Sequence, residues 1–249
     1  SDGCVSGASN SITVTVNPLP AASLAASPDP ICEGDVTTLT ATPAGFDNYT
    51  FYDGAAILQN GSSNTFITSA LTAGNSLTVI PENLGCTGNT STVVTVTVNP
   101  IPQVTLTTAN DTICDGDAFT ATASPVGYDN YEFFLNGNSV QNGSGEVYNS
   151  SAQANGDSLY VVATDNGCTS EPSNVLSIMV NPIPTAMLSS SDADNMICQG
   201  ESVTFTATPA GQDSYEFFIN GNSVQNGSSN DFSTTTLSDG DIITVLTID

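Results

Sequence analysis

The sequence predicts an all-β chain of tandem sandwich modules, and three observations predict it. The first is a tetrapeptide at a fixed step: Asn17-Pro18-Leu19-Pro20, Asn99-Pro100-Ile101-Pro102 and Asn181-Pro182-Ile183-Pro184, where 99 − 17 and 181 − 99 both equal 82. A fixed period of this size marks tandem modules. The second is the alternating Thr/Val run that precedes each tetrapeptide, such as Ile12-Thr13-Val14-Thr15-Val16. β-Branched residues in period two suit a half-buried pleated surface. The third is the lack of any long apolar segment at helical spacing.

The period divides the 249 residues into a fragment and three modules. Residues 1–18 read as the last strand of a preceding module. Residues 19–100 form the first full module, 101–182 the second, and 183–249 a third that lacks its last strand. The two ends complement each other: placing Ser1-Asp2-Gly3-Cys4 after Ile248-Asp249 resembles the turn Asp165-Asn166-Gly167-Cys168. The expectation is one repeating unit of a much longer fibre.

Within a module the strands follow in order. The first lies near Ala21–Ala26, Val104–Thr108 and Ala186–Ser189. A turn at Glu33-Gly34-Asp35, Asp115-Gly116-Asp117 or Gln199-Gly200-Glu201 leads into an alternating strand, as in Val203-Thr204-Phe205-Thr206-Ala207. Next comes an aromatic strand: Tyr49–Tyr52, Tyr131–Phe134 and Tyr215–Phe218. It ends in Asp53-Gly54, Asn136-Gly137 and Asn220-Gly221, strong hairpin signals because both turn positions need positive φ. A second Asn-Gly follows at residues 60, 142 and 226. Further strands are expected at Thr65–Thr68 and Leu77–Ile80 and at their counterparts Val147–Ser150, Leu159–Ala163, Asp231–Thr234 and Ile242–Leu246. About seven short strands in about eighty residues, spaced by Gly, Asn and Asp turns, describe an immunoglobulin-like sandwich. The Pro linkers are short and stiff, so the modules are expected to abut as a linear rod.

Charge excludes several functions. The chain has 25 Asp plus Glu and no Lys, Arg or His. With no cationic side chain to neutralise phosphates, nucleic acid is excluded as a partner. No His or Lys base is present to activate a nucleophile, and no Gly-x-Ser-x-Gly occurs, so the reading is not an enzyme. No membrane-spanning run is present. Trypsin-type proteases find no cleavage site. Repulsion at a net charge of −25 discourages clumping, although salt screens it.

The chain resembles the immunoglobulin-like and PKD-like repeats of very large Bacteroidota surface proteins, including gliding-type adhesins. The resemblance is carried by Ile31-Cys32-Glu33-Gly34-Asp35 and its two counterparts, by Asp165-Asn166-Gly167-Cys168, and by Thr97-Val98-Asn99-Pro100-Ile101-Pro102. It implies an extracellular, cell-surface location reached through the type IX export route. The absence of basic residues departs from the family.

Six cysteines at repeating positions suggest disulfides formed in an oxidising compartment. Cys32, Cys114 and Cys198 precede the alternating strand, at the trailing end of each module. Cys4, Cys86 and Cys168 follow the sixth strand, at the leading end. A sandwich is a few tens of Å long at ~3.3 Å per strand residue, and a disulfide needs Cα atoms within about 7 Å. That favours a staple between modules, Cys32 with Cys168. Cys4, Cys86, Cys114 and Cys198 then have partners outside this segment. The alternative, Cys32–Cys86 with Cys114–Cys168, stays open at this level.

Asp35, Asp117 and Glu201, with Asp29, Asp111, Asp192 and Asp194 nearby, could gather carboxylates for Ca²⁺, but none has EF-hand spacing and turn duty explains them as well. No other cofactor is expected. Thr112 and Ser158 lie in Asp-Ser/Thr-aliphatic sequences that resemble Bacteroidota O-glycosylation acceptors. Phe51, Phe133 and Phe217 take the place of a core Trp. The functional expectation is a structural segment of an extracellular fibre or adhesin stalk, partnered by neighbouring copies or modules. The alternative is an adhesin module that binds cell-surface glycans. Near-identical loops at residues 136–143 and 220–227 favour repeated structure over one evolved site.

Overall fold

The computed structural model describes residues 2–248; Ser1 and Asp249, which fall in the expected end segments, lie outside them. No helix occurs among the described residues, and so none is long and apolar enough to cross a membrane. The first module holds β1 (Ser23–Ser27), β2 (Ile31–Cys32), β3 (Thr37–Thr42), β4 (Asn48–Asp53), β5 (Ala56–Gly61), β6 (Thr65–Thr68), β7 (Leu77–Asn83), β8 (Cys86–Thr87) and β9 (Val98–Asn99). The second holds β10 (Thr105–Thr108), β11 (Thr112–Cys114), β12 (Phe119–Ser124), β13 (Asn130–Leu135), β14 (Asn138–Gly143), β15 (Val147–Ser150), β16 (Ser158–Asp165), β17 (Cys168–Thr169), β18 (Leu176–Ser177) and β19 (Met179–Asn181). The third holds β20 (Met187–Ser190), β21 (Val203–Thr208), β22 (Ser214–Ile219), β23 (Asn222–Gly227), β24 (Asp231–Thr234) and β25 (Ile243–Ile248).

The described residues fall into two compact units. One contains residues through Thr108, with Ala121–Tyr148 and Ser158–Leu176; the other contains Ala109–Thr120, Asn149–Asp157 and residues from Ser177 onward.

In the first unit the first module is a two-layer sandwich: β1-β3-β6 on one side and β5-β4-β7-β8 on the other. Period-two alternation dictates the layering. Thr37, Leu39 and Ala41 of β3 point inward while Thr38 and Thr40 are half-buried. Facing them, Tyr49 and Phe51 of β4 are fully buried, as are Leu77 and Val79 of β7. The aromatic strand positions Tyr49 so that its hydroxyl donates to the Pro43 carbonyl at 2.7 Å and accepts the Phe46 N–H at 3.1 Å. Tyr131 repeats the pair with Pro125 and Tyr128. A buried hydroxyl is kept only where it is bonded, and this one ties the loop before the aromatic strand to the strand itself.

Two sequence expectations change. The run Ile12–Val16 forms no strand; residues 2–22 lie outside every ladder, and Ile12, Val14 and Val16 are exposed. A strand needs a neighbour for its N–H and C=O groups, and none of the described residues pairs with it there. The second Asn-Gly makes no turn: Asn60-Gly61 ends β5, paired with Thr50 and Tyr49, without positive φ at Gly61. The first signal does turn the chain, with Asn136 at φ 50° and Gly137 at φ 78°.

The Thr/Val run before each linker also behaves differently from a simple last strand. In the first module Val94 exchanges both backbone bonds with Leu77, antiparallel to β7. The chain then crosses to the other edge, where β9 runs parallel to β2 with Cys32 opposite Asn99. Asn75 makes the crossing possible: its side chain donates to the Val96 carbonyl and accepts the Val96 N–H, both at 2.8 Å.

In the second unit, β11 runs parallel to β19 with Cys114 opposite Asn181, repeating the β2–β9 pairing. The third module has β20-β21-β24 facing β23-β22-β25. Its Tyr215 hydroxyl donates to the Pro209 carbonyl at 2.7 Å. Asp241 closes the turn before β25, accepting the Ser238 N–H at 2.8 Å and an Asn220 Nδ2–H at 2.7 Å. The Ser238 backbone bond first, then Asn220, hold its carboxyl below the ordinary Asp value. A depressed folded-state pKa contributes stability that is present above the unfolded value and lost as pH falls through the folded one. The Asp241 carboxyl is therefore expected to titrate below the chain's unfolded aspartates in an NMR pH series; titration at or above them would contradict the geometry.

Candidate functional site: the module joint

The joint between the first and second modules is built from the linker, the β2–β9 edge and the turn after β16. Cys32 lies in β2 and Cys168 in β17, and the two form a disulfide with a Cα–Cα separation of 5.6 Å across 136 residues of sequence. Cys168 is buried, with its sulfur 3.9 Å from the Asn99 carbonyl. Asn99 donates from Nδ2 to the Asn166 carbonyl at 3.0 Å. The linker Asn thus holds the turn that presents the cysteine.

The same contact occurs one period earlier, in weaker form. Asn17 Nδ2 lies 3.5 Å from the Leu84 carbonyl, and Leu84 is the counterpart of Asn166. Beside it, Gly88 permits close approach of the linker: a Cβ there would sit 2.0 Å from the Pro20 carbonyl oxygen. Pro20 and Pro102 are both buried at these joints. The linker is therefore packed, not merely short, because its second Pro has the next module's leading end to lie against.

The acidic turns have a local role. Asp35 accepts the Cys32 N–H at 3.2 Å and donates its own N–H to the Cys32 carbonyl at 2.9 Å. Glu201 does the same with Cys198, at 2.9 and 3.0 Å. Asp117 makes the backbone bond to Cys114. The Asp35 and Glu201 carboxylates each cap the turn that fixes their own cysteine. Asp35, Asp117 and Glu201 sit in separate modules, and no group of three or more acidic, Cys or His side chains among the described residues could hold a metal. Asp29 accepts the Thr97 N–H at 2.9 Å, and Asp192 and Asp194 both accept the Met196 N–H at 3.1 Å. Calcium takes six to eight oxygens, and the structure does not gather them.

Cys4, Cys114 and Cys198 are free and exposed, and Cys86 is free and half-buried. Cys114 repeats the parallel-strand setting of Cys32, Cys198 repeats its acidic turn cap, and Cys86 repeats the setting of Cys168, opposite Asn83 at the end of β7. Thr112 is exposed on β11 with its hydroxyl turned to Asp111, and half-buried Ser158 bonds Asn136. Phe51, Phe133 and Phe217 are fully buried, which leaves no ring face for a sugar. The linker asparagine is the functional residue that period alone does not single out; its identity at residues 17, 99 and 181 is the available signal.

Comparison with known proteins finds a family match for the first module. Residues 20–100 match the family described as Ig-like domain CHU_C associated. No curated protein matches. Among solved structures, the fibronectin(III)-like modules of Clostridium thermocellum CbhA are 17% identical over 65% of this chain and 95% of theirs, at a TM-score of 0.39. Murine CEACAM1b is 13% identical over 65% of this chain and all of its own, at 0.37. The ICAM-5 D1–D4 ectodomain fragment is 15% identical over 91% of this chain and 74% of its own, at 0.42. The family match covers the first module, and the recurrence of its residues and strand order supports immunoglobulin-like repeats of the Bacteroidota surface-protein type.

Proposed function

We propose that this chain is a structural segment of a long extracellular fibre or adhesin stalk at a bacterial cell surface, in which neighbouring modules and copies are its partners. The observation that carries the reading is the joint: a disulfide, an Asn side chain and a buried Pro fasten one module to the next, and the residues for all three recur at the repeat period. A joint clamped in this way transmits load without relying on noncovalent contact alone. The acidic surface suits the role, since net charge of one sign opposes lateral clumping between parallel strands of material. Electron microscopy of the native cell surface tests it. Antibody to this chain should decorate filaments; label confined to soluble, unassembled protein would overturn the reading.

A further inference from the structure

Each module carries two strand edges on one flank. In the first module β5 ends one sheet and β6, which follows it in the chain, ends the other. The pairs β14 and β15, then β23 and β24, repeat the arrangement. Charge does not protect this flank. Residues 54–68, 133–145 and 217–230 contain no acidic side chain, although the chain as a whole has a net charge of −25. Ile57, Ile67, Val140 and Val224 are exposed there. An uncharged, partly apolar edge with outward backbone groups is a template for a strand of another molecule.

Side chains cover the backbone instead. The Ala41 N–H donates to the Asn64 carbonyl at 2.8 Å. Carbonyls alternate in direction along a paired strand, so the next one, on Thr65, faces away from β3. Gln59 Nε2 donates to that Thr65 carbonyl at 3.1 Å and to the Ser63 carbonyl at 3.4 Å. In the second module Ala123 bonds the Glu146 carbonyl, and Gln141 Nε2 donates to Val147 at 3.0 Å and Gly145 at 3.2 Å. In the third, Ala207 bonds Asn230 and Gln225 Nε2 donates to the Asp231 carbonyl at 2.9 Å. Two serines reinforce the cap. Ser63 Oγ donates to the Thr65 carbonyl at 2.9 Å and accepts the Thr65 N–H at 3.2 Å. Ser229 does the same with Asp231, at 3.0 and 3.3 Å. Gly145 stands in the serine's place in the second module and has no hydroxyl to offer.

The ladder aims the glutamine. Gln59, Gln141 and Gln225 lie opposite Phe51, Phe133 and Phe217, and those three rings are fully buried. Residues opposite one another in a ladder share a face, so each Gln points into the gap between the sheets, toward the neighbouring edge. In all three modules the register slips at the residue just before the Gln: Leu58, Val140 or Val224. A bulge re-aims a side chain and twists an edge strand away from partners. The bulge therefore guards β5, β14 and β23, while the Gln it positions guards β6, β15 and β24.

We propose that Gln59, Gln141 and Gln225 are edge caps that bar a second copy of this chain from pairing laterally along β6, β15 and β24. They act where the net charge of the chain is locally missing. The proposal deepens the fibre reading and rests on it for the biological setting; the capping itself is tested in solution.

The test compares the 249-residue chain with the triple variant Gln59→Ala, Gln141→Ala, Gln225→Ala. Iodoacetamide blocks the free thiols while the Cys32–Cys168 bond stays intact, and a few hundred millimolar salt screens the charge. By light scattering, the concentration at which half of the variant is associated should be at least about tenfold lower than for the unsubstituted chain. Its infrared spectrum should gain the band of intermolecular strands, and circular dichroism should show both proteins folded. Gln141→Ala alone should shift association in the same direction, because no serine backs the cap in that module; it decides the matter if the triple variant does not fold. Gln141→Glu, which loses the donor but places a carboxylate on the edge, should associate no more than the unsubstituted chain. A folded Ala variant that associates no more than the unsubstituted chain, or equal association of Gln141→Glu and Gln141→Ala, would each overturn the edge cap. Filaments on the native cell surface would survive either result.

Discussion

Removing the Cys32–Cys168 disulfide, by reductant or by the double Cys32→Ala, Cys168→Ala substitution, is expected to lower the stability of the first joint by up to about 5 kcal/mol. That ceiling is the chain-entropy value for a closed loop of this length, the two cysteines being 136 residues apart. It applies if both modules unfold together. If they unfold separately, most of the loop is still folded when one module melts, and the bond acts on the joint alone. Calorimetry separates the cases. The oxidised chain should show its first two modules melting as one coupled transition, and the reduced chain should show them melting apart. Identical scans under both conditions would mean that the bond carries no load in the folded state. Reductant tests the unsubstituted protein, which removes the objection that Cys168→Ala leaves a small void where a buried sulfur had been.

Phe51→Ala is expected to cost the first module about 3–5 kcal/mol, the range for losing a large aromatic side chain from a core that relaxes only partly. Phe51 is fully buried, lies beside Phe66 at a ring separation of 6.2 Å, and is enclosed by the same cluster that holds Leu39, Leu77 and Val79. A module of about eighty residues has little stability to spare, so the loss should unfold it at ordinary temperature. Tyr49→Phe should cost less, about 1–3 kcal/mol, because it keeps the ring and leaves the Phe46 N–H and the Pro43 carbonyl without their shared hydroxyl. Chemical denaturation read by tyrosine fluorescence ranks the two. A ranking with Tyr49→Phe the costlier would show that the loop tie, not the packed ring, holds the module.

The strands and their order follow from short-range patterns, which is why they are legible in the sequence alone. Thr37, Leu39 and Ala41 alternate with polar neighbours, and only one face of such a strand can be buried. Asn136-Gly137 and Asn220-Gly221 turn because few other residues tolerate positive φ in succession. Strand direction and length point toward proximity of Cys32 and Cys168, and the structure brings those two together. It leaves Cys86 and Cys114 free.

Other features needed the three-dimensional contacts. The run Ile12–Val16 has the same pattern as the runs ending at Val98 and Val180, yet stays outside every sheet, since a strand is defined by a partner that local sequence cannot name. The switch of the last run from β7 to β2 is set by the Asn75 side chain, whose two bonds to Val96 join residues 21 apart. Asp35 and Glu201 look alike as candidate cation ligands and as turn caps until distances show each bonded to its own cysteine. By itself the sequence determined the period, the two-faced strands and the tight turns, because these depend on residues a few positions apart. Tertiary structure alone decided which edges are covered and which stay open, because an edge is closed by whatever chain reaches it, and that is a matter of space and not of neighbouring sequence.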